Sequence, residues 1–285
     1  MKRKLIVLLM LCLVSGGWAA TAETPGRDGR TLGFYGRVNH WMDSRSELRK
    51  ELRLMEKCGV EGYLIEMAGW ARMTAWEEPW LHRTEREYRF LLRQCRRRGL
   101  WLFVSIVNDN MGLKKYNDPG VSLEEVFQQA SELIEIVRRY GPANVMVQPV
   151  AEVRTEAGAR FENRCKERLQ GFFLVHNGGW GFPHSRPEGF DARAVHPPHE
   201  HFPVPDDAFV VSDHGNLIPR LTTDKTITGE ADRKILTDWL LRLRSQGVPL
   251  VGYYAFQREQ MDETAIRTVA EVLGAGSTYS TATQP

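Results

Sequence analysis

Leu100-Trp-Leu-Phe-Val-Ser-Ile-Val107 is an almost unbroken apolar run, stopped by the polar pair Asn108-Asp109. A strand that faces solvent on one side alternates apolar and polar residues. A continuous run suits a parallel strand covered on both faces. The residues before it, Tyr88, Leu91, Leu92 and Cys95, recur at helical spacing. They follow a capping residue at Thr84 and end at Gly99. The unit is therefore helix followed by buried strand, and it repeats along the chain.

Upstream, Leu32 to Asn39 predicts a strand. It is followed by a helix capped at Asp43 or Ser44, with Leu48, Leu52 and Met55 on one face and Gly59 as its stop, and then by a second strand from Val60 to Glu66. Downstream, Ser122-Leu-Glu-Glu125 reads as a capping box for a helix running to Tyr140 and halted by Gly141-Pro142. The fourth strand is Asn144 to Ala151, with a helix from Glu156 to Leu169, and the fifth is Gln170 to Val175. No clear long helix lies between His176 and Pro205, where a sixth strand, Ala192 to His196, sits in a Gly/Pro/His-rich stretch. Strand seven is Ala208 to Asp213, and a helix spans Ala231 to Gln246. Strand eight is Pro249 to Phe256, and a helix from Asp262 to Leu273 closes the pattern. Eight strands with mostly helical connections predict a (β/α)₈ barrel, with short or missing helices after strands five and six. An open doubly wound sheet is the rival. There is no Gly-x-Gly-x-x-Gly after the first strand, no P-loop and no repeat of fixed period.

Bulk composition agrees. Hydrophobic residues make up 42% and charged residues 26%, enough for a large core, and the net charge of +2 offers no basic field for nucleic acid. Lys2, Arg3 and Lys4, the apolar run Leu5 to Val14 and the small residues Ala20-Thr21-Ala22 read as an export signal over residues 1–22. The residues around Cys12 lack a lipobox. Residues 23–285 then form the single barrel domain, exported to the periplasm or beyond, with no further membrane span. Cys58, Cys95 and Cys165 remain. They read as small buried hydrophobes, with one Cys58–Cys95 bridge as an alternative.

In barrels of this kind the active site lies at the C-terminal strand ends. The ends carry Asn39, His40 and Trp41; Glu66; Asn108 and Asp109; Glu152; His176, Asn177 and Trp180; His196; Asp213 and His214; and Tyr254 and Gln257. Nearly every end is polar or aromatic. Glu152 and Asp213 form the leading carboxylate pair, with Glu66 and Asp109 as substitutes for the second member. Cleaving a glycosidic bond takes two such groups. One protonates the leaving oxygen; the other attacks the anomeric carbon or activates water.

Gln148-Pro-Val-Ala-Glu152 and Val210-Val-Ser-Asp-His-Gly215 resemble the strand-four and strand-seven motifs of the clan A, cellulase-like glycoside hydrolases, and the resemblance spans nearly the whole mature chain. It implies Glu152 as acid/base and Asp213 as nucleophile or base, without a cofactor. Two residues depart from the pattern: Ala151 stands where the family has Asn, and Asp213 where it has Glu. The shorter side chain sets a carboxylate back from the anomeric carbon. His40, Glu66, Asn108, Asp109, His176, Trp180, His196 and Tyr254 would position the sugar. Trp41, Trp70, Trp76, Trp80 and Trp180 would stack on pyranose faces or pin loops to the barrel.

Two other readings stand beside this one. The departures suit a non-catalytic carbohydrate-binding protein on a degenerate barrel. His184, His196, His199 and His201 suggest a metal-dependent hydrolase, but Pro197-Pro198 impose an extended loop and the spacing fits no metal motif. Arg93, Arg96, Arg97 and Arg98 read as a solvated helix face. Ser105 and Ser212 lack the Gly-x-Ser-x-Gly turn.

Overall fold

The computed structural model describes residues 30–37, 44–66, 85–108, 123–151, 153, 155–178, 186–195, 208–213, 229–255 and 261–274. The strands are β1 (Leu32–Arg37), β2 (Gly62–Glu66), β3 (Trp101–Asn108), β4 (Val145–Ala151), β5 (Phe173–Asn177), β6 (Ala192–Val195), β7 (Ala208–Asp213) and β8 (Leu250–Ala255). The helices are α1 (Arg45–Cys58), α2 (Glu85–Arg97), α3 (Leu123–Tyr140), α4 (Glu156–Arg168), α5 (Gly229–Ser245) and α6 (Glu263–Leu273). All strand pairs are parallel, each strand pairs with the next, and β8 returns to β1. The chain is a closed (β/α)₈ barrel. The connections after β5 and β6 run largely through residues 179–185 and 196–207, which lie outside the described residues, so the short or missing helices expected there are not among the described elements.

Two apolar layers hold it. Leu32, Phe34, Leu64, Phe103, Met146, Val175 and Leu250 fill the lumen, and a larger cluster joins the outer strand faces to the helices. Strand alternation creates both layers, since successive side chains point to opposite faces. Gly62 is placed by the lumen: a Cβ there would lie 2.2 Å from Cε1 of Phe34, a fully buried ring. Local signals fix the helix ends. Ser44, rather than Asp43, caps α1 in a capping box with Glu47, and Gly59 at φ 84° ends that helix in the left-handed conformation.

Two expectations change. Strand five starts and ends later than the sequence suggests, because Gly171 at φ 88° turns the chain before Phe173. His176 and Asn177 thus lie inside the strand instead of following it. Cys58 and Cys95 do not form a bridge: these two and Cys165 are free thiols. Cys95 and Cys165 are buried in the outer core, as small hydrophobes would be. The export signal, residues 1–22, and the caps at Thr84 and Ser122 lie outside the described residues.

Candidate active site

The register sets which strand-end positions share a level. Asp213 pairs with Tyr254, Tyr254 with Gly36, and Gly36 with Leu64. Glu66 pairs with Ser105, and Ser105 with Gln148. Asn108 pairs with Ala151, the residue before Glu152. Glu66, Asn108, Asp213 and Tyr254 are thus all in strands that reach the C-terminal mouth. Strands β5 and β6 separate β4 from β7.

The chain is fixed on both sides of Glu152. Ala151 is hydrogen-bonded into β4, and the backbone N–H of Val153 donates to the carbonyl of Asn177 at 2.8 Å. The next helix, α4, is capped by Thr155, whose hydroxyl accepts from Gly158 N at 3.0 Å. Glu152, His40, Asp109, Trp180 and His196 lie outside the described residues, as do Trp41, Trp70, Trp76, Trp80 and the histidines of the His184–His201 stretch.

His176 is placed differently from the sequence expectation. Its Nδ1 lies 2.9 Å and 3.0 Å from the two carboxylate oxygens of Glu162 on α4, and its ring meets Phe190 edge-on at 5.6 Å. Both partners are buried. His176 therefore faces the helix layer. Asn177, its neighbour, is in register with Ala194 of the lumen cluster and is 1% exposed, so it carries the lumen side of this strand end. The one-residue alternation that separates them follows from where β5 begins. Burial pushes the Glu162 carboxyl above the usual carboxylate range, and the contact with His176 pulls it partly back.

A polar pair that the sequence reading passed over lies in the lumen. Gln148 Nε2 donates to Ser105 Oγ at 3.1 Å, and both residues are buried among apolar side chains. Gln148 Oε1 is buried without a hydrogen-bond partner among the described residues. Polar groups at inward positions of otherwise apolar strands were the available signal. Among the described residues no group of His, Cys, Asp or Glu could hold a metal ion.

No protein-family model matches the sequence, and no curated protein matches it. Solved structures do match in fold. An endo-β-1,4-mannanase from Thermotoga petrophila superposes with TM-score 0.58 at 10% identity, over 88% of this chain and 78% of its own. A glycoside hydrolase family 5 protein from Bacteroides vulgatus gives 0.57 at 9% identity, over 82% of this chain. The chain spans 64% of that protein's length, under two thirds. A β-N-acetylhexosaminidase from Bacteroides fragilis gives 0.55 at 10% identity, over 86% and 65%. The chain therefore has the barrel fold of these TIM-barrel glycosidases.

Proposed function

We propose that this protein is an exported glycoside hydrolase-like barrel acting on O-glycosidic bonds of an oligo- or polysaccharide. Glu152 is the acid/base. Asp213 is the nucleophile, or the base that activates water. The observation that carries the reading is the placement of Asp213 in register with Tyr254 at the mouth of a closed barrel, with the chain pinned immediately before and after Glu152. Glycosidase chemistry uses two carboxyl groups about 5–5.5 Å apart for retention and about 6.5–9.5 Å for inversion. The shorter Asp213 favours the wider separation and inversion. His40, Glu66, Asn108, Asp109, Trp180, His196 and Tyr254 bind sugar around the pair. Asn177 takes the lumen-side place that His176 leaves. The basic and apolar segments between Lys2 and Val14 support export.

The test is hydrolysis of mannan, glucan and N-acetylhexosamine oligosaccharides by the full chain and by Glu152→Gln and Asp213→Asn. General acid–base catalysis contributes roughly 10²–10⁴-fold, and each variant is expected to lose at least that much turnover while still binding ligand. A second reading rests on Ala151 and Asp213, the two departures from the catalytic pattern: a carbohydrate-binding protein on a barrel that has lost catalysis. Sugar binding without hydrolysis, equal in native protein and Glu152→Gln, would establish it.

A further inference from the structure

A groove of about 600 Å³ runs between α1 and α2 on the outside of the barrel. That volume is within the range of about 300–1,000 Å³ usual for ligand sites. Arg45 and Arg49 line one wall; Arg86, Arg89, Arg93 and Arg97 line the other. Glu85 is the only acid among the described lining residues, and it lies 3.4 Å from Arg89. Phe90 sits between the walls, with the guanidinium carbons of Arg45 and Arg49 5.1 Å and 5.0 Å from its ring centre. The guanidinium carbons of Arg89 and Arg93 lie 4.4 Å and 4.9 Å from the ring centre of Tyr140.

Helix energetics favour Arg97, in the last turn of α2, and pair Arg89 with Glu85, but they oppose the rest of this arrangement. Arg45 and Arg86 lie in the first turns of their helices, where the positive end of the helix dipole disfavours a cation. Arg45 and Arg49 are four residues apart, as are Arg89, Arg93 and Arg97, so like charges meet along both walls. The aromatic contacts bring four guanidinium groups within about 6 Å of ring faces, the reach of a cation–π attraction. A planar guanidinium presents paired N–H donors that match an oxyanion bidentately.

We infer that the groove between α1 and α2 binds an acidic polysaccharide segment through its carboxylate or sulfate groups. Its concave shape fits a single chain rather than a flat membrane surface. The choice of a glycan over other polyanions rests on the carbohydrate reading above; the anion site itself does not.

The experiment measures binding of the full chain to polygalacturonate, dextran sulfate, neutral dextran and duplex DNA, for native protein, Arg49→Glu/Arg93→Glu and the milder Arg49→Gln/Arg93→Gln. Thermal unfolding checks that each variant is folded. Expected are salt-sensitive binding to polygalacturonate or dextran sulfate, none to neutral dextran, and affinity at least tenfold weaker in the Glu variant and less so in the Gln variant. Polygalacturonate and dextran sulfate distinguish a carboxylate from a sulfate ligand. The inference is overturned if neither acidic glycan binds, if charge reversal in a folded variant leaves affinity unchanged, or if DNA binds as tightly with the same arginine dependence. Hydrolysis of neutral glycan by the arginine variants is expected to match the native rate, so failure of the groove and failure of the Glu152–Asp213 assignment read out separately.

Discussion

His176 Nδ1 lies 2.9 Å from Oε2 of Glu162, and this buried pair joins β5 to α4 on the side of the sheet away from the lumen. The Glu162 carboxyl is held above its ordinary range, chiefly because burial penalises its charged form. A carboxyl raised in the folded state contributes its full stability below the unfolded pKa and loses it as pH rises through the folded value. Its contribution therefore declines as pH rises above the ordinary glutamate range, about 4. Glu162→Gln keeps the shape and removes the titration. In thermal melts between about pH 4 and pH 7, the difference in Tm should move in favour of the variant as pH rises. Movement the other way would mean that the contact with His176 outweighs burial.

The thiols give a second test. Cys95 is fully buried and its pKa is pushed up to about 12; burial also raises Cys165. Only the thiolate reacts rapidly with alkylating reagents. With iodoacetamide at about pH 8, a little below the ordinary thiol pKa, Cys58, which is half-buried, should be modified in the native protein. Cys95 and Cys165 should be modified only after denaturation. Peptide mass mapping assigns the sites, and native labelling of Cys95 would contradict the closed packing of α2 on the sheet.

Gly62 tests the lumen packing. A methyl group at this position meets the Phe34 ring at 2.2 Å, and that ring is fully buried. Overpacking of this kind costs roughly 1–3 kcal/mol, so Gly62→Ala should lower Tm by several degrees. Adding Phe34→Leu should recover part of the loss. If the double variant is as unstable as the sum of its single changes, the clash is not the cause.

The alternation that predicts the barrel is legible because each buried strand is a short apolar run and each helix has its own stop. Gly59 and Gly99 both lie in the left-handed region, and a glycine at a helix end announces that conformation directly. Strand five was not legible to the residue. Its start depends on Gly171 and falls three residues after the expected Gln170, and an odd-numbered shift of a strand exchanges its faces, which decides whether His176 faces sugar or helix. The Ser105–Gln148 pair was hidden for a related reason. In a strand buried on both faces, sequence does not separate lumen from outer wall, and only the register between β3 and β4 shows that the two side chains meet. The arginine groove was hidden because its walls come from different helices. Arg93 and Arg97 read as one solvated face until α1 brings Arg45 and Arg49 opposite them.

The Ser105–Gln148 pair provides the last test, and it separates a structural role from a ligand-binding one. Gln148→Met removes the donor and leaves the buried Ser105 hydroxyl without this partner, which costs about 1–3 kcal/mol. Adding Ser105→Ala removes both polar groups, and the double variant should recover most of that stability. A double-mutant cycle in chemical denaturation gives the coupling. Gln148 Oε1, however, is a buried acceptor with no hydrogen-bond partner among the described residues, in a row that begins at Glu66 on the mouth. If that oxygen accepts from a bound sugar hydroxyl, directly or through water, the double variant should be as stable as the native protein yet bind oligosaccharide more weakly. Equal stability with equal affinity would leave the pair as a packing feature of the lumen. It would also confine the sugar site to the strand ends above.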